Sequence, residues 1–279
     1  MKKGINVWSF PADLTIEQRI RLAKKAGFDG IELALNLTGP LSLESDEAEI
    51  KGYRALADEI GIELISLASG LYWDFPFSAD DPSVRAKAHE IASFQLKAAR
   101  LLGVGCILVV PGCVGADFIK GAKVVPYETV YNRALEAMKA LVPVAEAQGV
   151  VVGVENVWNK FLLSPLEMRR FIDEVGSPWV QAYLDVGNIL AVGYPEHWIP
   201  VLGKRIARVH CKDFKVSVGN INGFCDLLAG DVNFPAVVEE LQKVGYEGYI
   251  TAEMGGYRHY SDQIVYNTSA SMDRFLGRA

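Results

Sequence analysis

The segment Arg208-Val209-His210-Cys211-Lys212-Asp213-Phe214 reads as a short buried strand whose exit turns polar. A histidine at such a junction has its ring held by the scaffold and one ring nitrogen free to face a cleft. Three more apolar runs end in the same way, each on a carboxylate: Val151 to Glu155, Ala182 to Asp185 and Ile250 to Glu253. A lone acid at a strand exit is ordinarily a solvated loop residue or a helix cap, but four such exits in succession point to shared chemistry. Three carboxylates and one neutral imidazole make a hard donor set of about three negative charges, suited to Mn2+, Mg2+ or Co2+ rather than to a thiolate-bound structural zinc. Without a cation the acids would repel one another and their pKa values would rise. His89, His197 and His259 fall in helix or loop stretches, so only His210 ends a strand.

The elements that must position these groups alternate along the chain. Gly4 to Val7 is a brief strand. Thr15-Ile16-Glu17-Gln18 is a capping box opening a helix with Ile16, Ile20 and Ala23 on one face, ended by Gly27. Phe28 to Leu33 is a second strand, and Ile50, Leu56 and Ile60 mark a helix that stops at Gly61. Ile62 to Leu67 follows as a strand, then Asp81-Pro82 starts a long helix to Leu102, and Cys106 to Val110 is the fourth strand. After the long connection Pro111 to Val125, Pro126 opens a helix ending near Gly149, with a kink expected at Pro143. Val151 to Glu155, Val180 to Asp185, Ile206 to Cys211 and Tyr249 to Met254 complete eight strands. Between and after them lie a Ser164-Pro165-Leu166-Glu167 capping box, a short helix from Tyr194 to Leu202, a helix capped by Asn233, and a final helix over Asp262 to Leu276.

Eight apolar strands alternating with helices argue for parallel pairing, closed into a single (β/α)8 TIM barrel. An open doubly wound sheet would favour a glycine-rich phosphate loop after the first strand, and Asn6-Val7-Trp8-Ser9-Phe10-Pro11 has none. No Pro-, Gly- or Ser-rich linker divides the chain, so residues 1–279 are expected to form one domain. In such a barrel the strand exits converge on one face, which brings Glu155, Asp185, His210 and Glu253 together.

Composition narrows the possible functions. Among 279 residues, half are hydrophobic and 22% are charged, as in a chain with a sizeable core. The 28 Lys and Arg against 34 Asp and Glu give a net charge of −6 with no basic block, which speaks against nucleic acid. Met1-Lys2-Lys3 leads into a strand rather than an apolar signal core, and no run approaches a membrane span, so a cytoplasmic location away from membranes is expected. Cys106, Cys113, Cys211 and Cys225 lack CxxC pairing and read as reduced, structural thiols.

Five segments carry a resemblance: GVEN at Gly153 to Asn156, LDVGN at Leu184 to Asn188, HCKD at His210 to Asp213, LLAGDVNF at Leu227 to Phe234 and GYITAE at Gly248 to Glu253. Their order over nearly the whole chain resembles the sugar isomerase and epimerase superfamily, the xylose-isomerase-like barrels that include ketose 3-epimerases acting on tagatose-type sugars or pentulose 5-phosphates. The resemblance implies one divalent metal, Mn2+ first with Mg2+ or Co2+ as alternatives, held by Glu155, Asp185, His210 and Glu253. It also implies Glu155 and Glu253 as the acid and base, and a homodimer or homotetramer. The metal would stabilise an enediolate, while one glutamate takes the C3 proton and the other returns one to the opposite face.

Two positions depart from free-sugar members of the family. Asn188 stands where those often carry a histidine, and Phe161 where they often carry a second glutamate; the Asp-Val-Gly-Asn and HCKD runs look closer to the pentulose-phosphate branch. Asn188 and Lys212 are the candidates for contacting substrate oxygens, with a salt bridge to Asp213 or another acid as the plainer role for Lys212. Trp8, Trp73 and Trp158 follow strands one, three and five and are candidate pocket walls, or else core or subunit-contact aromatics. Glu32 is a candidate for orienting a ligand from behind, or a polar residue of the barrel mouth. Tyr257-Arg258-His259-Tyr260 is a candidate cover.

Other activities share this architecture. An aldose-ketose isomerase or a keto-polyol dehydratase would use the same metal and a similar enediolate. An abasic-site-type nuclease needs a histidine-rich multi-zinc cluster, and the chain has four histidines in all. A silent sugar-binding barrel would keep the pocket without proton exchange.

Overall fold

A computed structural model describes residues 1–278. Eight parallel strands close on themselves: β1 (Lys2–Asn6), β2 (Gly30–Leu35), β3 (Glu63–Ser69), β4 (Cys106–Val109), β5 (Val151–Glu155), β6 (Val180–Asp185), β7 (Ile206–Cys211) and β8 (Tyr249–Ala252). Each strand pairs with its sequence neighbours, and β8 pairs with β1 through Lys2 opposite Tyr249 and Ile5 opposite Ala252. The closed ring leaves no sheet edge for another chain to extend.

Eight principal helices surround it: α1 (Ile16–Lys25), α2 (Glu47–Ile60), α3 (Pro82–Leu102), α4 (Tyr127–Gln148), α5 (Pro165–Val175), α6 (Pro195–Leu202), α7 (Phe234–Lys243) and α8 (Gln263–Phe275). Their starts follow the local chemistry. The Thr15–Gln18 box closes in both directions, with Gln18 N donating to Thr15 Oγ1 at 3.2 Å and Thr15 N to Gln18 Oε1 at 2.8 Å. The expected box at Ser164 closes on one side only, because Glu167 Oε2 accepts from Leu163 N instead. Gly103 and Gly149 end α3 and α4 at φ 71° and 66°, a left-handed turn that strains any residue with a Cβ. Helix α4 continues across Pro143 without interruption.

Strands β5, β6 and β7 lie where the sequence puts them. The others differ at their ends: β1 starts at Lys2 and stops at Asn6, β2 runs to Leu35, β3 to Ser69, β4 stops at Val109 and β8 at Ala252. The apolar pattern reports burial, which continues beyond the last ladder bond, as at Val110 and Met254. The single-turn helix Val186–Ile189 and the two-stranded ribbon of Asp213–Phe214 with Phe224–Cys225 carry no periodic signal and go unseen in the sequence. No helix is long and apolar enough to cross a membrane, among the described residues.

Side chains alternate between the helix layer and the barrel interior. The interior is uneven. An added Cβ at Gly153 would lie 2.8 Å from the Tyr183 ring and 2.9 Å from the Ile107 carbonyl oxygen, so this glycine makes room for a tyrosine crossing the barrel. Two register irregularities, between Ile31 and Leu33 in β2 and between Ala182 and Tyr183 in β6, fall beside the polar residues Glu32 and Tyr183. Such irregularities re-aim side chains locally.

Candidate active site

The four expected groups converge at the C-terminal ends of β5 to β8. Glu155 and Asp185 are the last residues of β5 and β6, His210 is the penultimate residue of β7, and Glu253 follows β8, its N–H donating to the Cys211 carbonyl at 3.1 Å. Asp185 lies opposite His210 in the β6–β7 register, and His210 lies opposite Thr251 in β8. One donor atom from each of Glu155, Asp185, His210 and Glu253 falls within 4.8 Å of all the others.

The hydrogen bonding leaves the centre of this cluster unsatisfied. Glu155 Oε1, Asp185 Oδ2 and His210 Nδ1 are buried with no hydrogen-bond partner. His210 Nε2 lies 2.6 Å from Glu32 Oε1. In the neutral ring a carboxylate facing Nε2 places the proton there, which leaves the Nδ1 lone pair pointing at Glu155 Oε1 (3.4 Å) and Glu253 Oε2 (3.2 Å). A lone pair facing two carboxylates is unfavourable unless a positive charge lies among them. Three orphaned buried atoms and a hard donor set therefore fit a divalent cation.

The cation-free electrostatics agree with that reading. Burial pushes Glu155 up to about 7, against the lowering effect of His210. Burial likewise raises Asp185, with Lys212 opposing it. Burial acts upward on Glu253 too, but the Lys212 ammonium and His210 outweigh it and hold that carboxyl at about 2. Burial pulls His210 down, yet Glu32, Glu155 and Glu253 together carry it well above the ordinary imidazole range. The pocket draws positive charge from whatever source is at hand.

Glu32 is a structural anchor deep in the barrel, not a residue of its mouth. It is fully buried, accepts from Asn6 Nδ2 at 2.5 Å and Ser66 Oγ at 2.6 Å, and also takes the Tyr183 hydroxyl. Asn6, Ser66 and Tyr183 were not singled out from sequence. Asn6 carries the same signal as the four exits, a polar residue ending an apolar strand, whereas Ser66 and Tyr183 lie inside strands with no such mark. Asn156 also went unassigned, though it sits in the GVEN segment. Its side chain clasps the exit of β6 from both sides, donating to the Asp185 carbonyl at 2.8 Å and accepting from Asp185 N at 2.9 Å.

Lys212 extends into the cluster, with Nζ 3.0 Å from Glu253 Oε2 and 3.3 Å from Asp185 Oδ2. Its partners are these acids and not Asp213. Asp213 is buried and accepts from the amides of Phe214, Gly230 and Val232, tying down the loop after β7. Asn188 donates its backbone N–H to Asp185 Oδ1 at 2.9 Å and its side-chain Nδ2 to the Asn156 carbonyl at 3.1 Å. Trp8, Trp73, Trp158, Asn188 and Lys212 all line one cavity of about 180 Å³ together with Glu155 and Glu253. The Tyr257 to Tyr260 segment does not cover it: Tyr257 bonds Asp226 and Asn267, and Tyr260 projects into solvent at 86% exposure. Phe161 is buried, packed on Tyr127 and Phe171.

The arrangement matches known proteins across its length. SgbU of Escherichia coli strain K12 is 31% identical over 258 residues, covering 90% of this chain and 87% of that protein. The L-ribulose-5-phosphate 3-epimerase UlaE of Escherichia coli strain SMS-3-5 is 27% identical over 259 residues, covering 90% and 86%. Among solved structures, D-psicose 3-epimerase from Clostridium cellulolyticum H10 has a TM-score of 0.80 at 21% identity, covering 99% of each chain, and shares the fold. The model of the xylose isomerase-like TIM barrel family matches residues 20–274. With eight parallel strands closed into one barrel and a family match over most of its length, the chain belongs to the xylose isomerase-like TIM barrel family.

Proposed function

We propose that this enzyme is a divalent-metal-dependent epimerase that inverts C3 of a ketose or ketose phosphate. The observation that carries the reading is the convergence of three buried donor atoms that make no hydrogen bond, from Glu155, Asp185 and His210, beside the Glu253 carboxylate, with Lys212 as the one ammonium near them among the described residues. Glu155, Asp185, His210 and Glu253 would hold the cation, Mn2+ first, with Mg2+ or Co2+ as alternatives. When bound, it supplies Lewis-acid stabilisation of the negative charge that develops on substrate oxygens beside the departing proton.

The chain's own groups do the proton work. Glu155 and Glu253 reach the cavity from different strands, and inversion needs one base to take the C3 proton and a second acid to deliver one to the opposite face. Trp8, Trp73 and Trp158 give flat walls for the C–H faces of a sugar and keep water from its reacting carbon. Asn188 and Lys212 lie where they can donate to sugar oxygens. The epimerase name carried by UlaE, which this chain resembles over nine tenths of its length, supports the same reaction class. The reading takes residues 1–279 as one domain, assembled as a homodimer or homotetramer in the cytoplasm.

The test is to strip the protein of metal, restore Mn2+, Mg2+ or Co2+, and incubate it in deuterated water with free and phosphorylated ketoses. NMR is expected to report metal-dependent deuterium at C3 together with the C3 epimer. Exchange at another carbon would replace this reading with an isomerase or dehydratase, and no exchange with any sugar would leave a binding barrel. Glu155→Gln and Glu253→Gln are each expected to lose turnover, and normal activity in either removes that glutamate from the acid-base pair.

A further inference from the structure

The cavity over the four donor residues abuts a larger one. This second cavity measures about 440 Å³, and Phe118, Val157, Trp158, Asn188 and Ile221 line both. Its walls are dominated by apolar groups, with Phe118 and Trp158 offering ring surface and the buried Phe161 and Trp198 behind them. Phe118, Leu163, Val192 and Ile221, which also border it, are about 40% exposed or more, a concentration of uncovered apolar surface of the kind that marks a ligand groove or a partner contact. Apolar concavities of this size with few polar groups are the usual seats of organic ligands.

The lysines lining both cavities already have acidic partners. Asp117 and Lys160, the charged residues lining the larger one, are paired with each other at 2.8 Å. Lys212 in the smaller one is engaged by Glu253 and Asp185. No arginine or histidine lines either cavity, among the described residues. A phosphate dianion carried into such a place would leave water without a free cation to receive it, and with carboxylates next door.

We infer that the substrate is an unphosphorylated ketose bearing an aromatic substituent, the sugar lying over Glu155 and Glu253 and the aromatic group filling the larger cavity. The inference rests on the epimerase reading and narrows its substrate class. Stacking on the rings and release of water from apolar walls supply the selectivity, and the phosphorylated sugar is disfavoured because its charge finds no partner.

The experiment compares, in the Mn2+-loaded protein, D-fructose and L-ribulose with their benzyl ethers at either terminal hydroxyl and with their terminal phosphates. Two quantities are read: kcat/KM for C3 deuterium exchange, and Kd by calorimetry. For one of the two benzyl positions kcat/KM should exceed that of the parent sugar by about tenfold or more, the scale on which a filled apolar pocket discriminates. Ala191→Trp, which places bulk at a position lining only the larger cavity, should collapse the benzyl-to-parent ratio toward one in both readouts. Should that variant melt early, Val192→Trp makes the same test from the next position. A phosphate preferred over both ethers, or a benzyl ratio of one or less in the unmodified protein, overturns the inference. If no sugar exchanges at all, the epimerase reading falls, and calorimetry alone judges the cavity. Benzyl ether binding lost in Ala191→Trp would then uphold an aromatic-ligand site, and no binding would remove it.

Discussion

Replacing Glu32 by glutamine isolates what the barrel interior does for the proposed metal-binding cluster. Glu32 Oε1 accepts from His210 Nε2 at 2.6 Å and from Asn6 at 2.5 Å, while Oε2 accepts from Ser66 at 2.6 Å and from Tyr183. Every lone pair of this carboxylate thus meets a donor, and a glutamine turned with its NH2 toward the Ser66 and Tyr183 hydroxyls can donate to them while its oxygen still accepts from His210 and Asn6. The substitution keeps shape and volume but removes the negative charge behind the imidazole. Loss of one charge-assisted hydrogen bond costs roughly 1.5–3 kcal/mol. If that loss falls on the geometry and basicity of His210, the affinity for the cation drops by about 10–100-fold, the usual scale for a carboxylate behind a ligating histidine.

The assay is calorimetric titration of Mn2+ into chelator-stripped protein, wild type and Glu32→Gln, at one pH, with thermal melts of both stripped forms. Tyr183→Phe serves as a milder companion, since it removes one donor to Glu32 and leaves the charge. It should weaken Mn2+ binding less than Glu32→Gln does. A Glu32→Gln protein that melts normally and binds Mn2+ within about twofold of wild type would refute the reasoning, because a positioning role predicts a loss of about tenfold at least.

Three further outcomes follow from the same geometry. Adding Mn2+ to stripped protein should raise the melting temperature and a chelator should reverse it, since a ligand at a hundred times its Kd stabilises the native state by about 2.7 kcal/mol; a melt indifferent to Mn2+ would count against the site. Gly153→Ala should destabilise the fold by roughly 1–3 kcal/mol in denaturant titration, because its methyl group would meet Tyr183 and the Ile107 carbonyl at under 3 Å. An unchanged midpoint would show that the barrel interior relaxes there. Asn156→Ala should cost roughly 1–3 kcal/mol through the two bonds it makes to the Asp185 backbone. It should also weaken Mn2+ binding, and a variant that shifts neither quantity would show that the clasp is dispensable.

The sequence alone determined the eight-fold alternation and the placement of Glu155, Asp185, His210 and Glu253 at successive strand exits. Both are written in local periodicity: an apolar run marks a strand wherever it is buried, and an abrupt polar residue marks its end. Strands β5, β6 and β7 were legible to the residue because a carboxylate or a histidine punctuates each run. The ends of β4 and β8 were less so, since burial outlasts the hydrogen-bond ladder there. Tertiary structure decided the rest. Glu32 and His210 are 178 residues apart, and only closure of the barrel, with irregular register beside Glu32 and Tyr183, sets one against the other. The choice of Asp185 and Glu253 as partners of Lys212, in place of the adjacent Asp213, was likewise settled in space. Neighbouring residues on an extended segment point to opposite faces, so the acid next in sequence is turned away while acids from other strands come within reach.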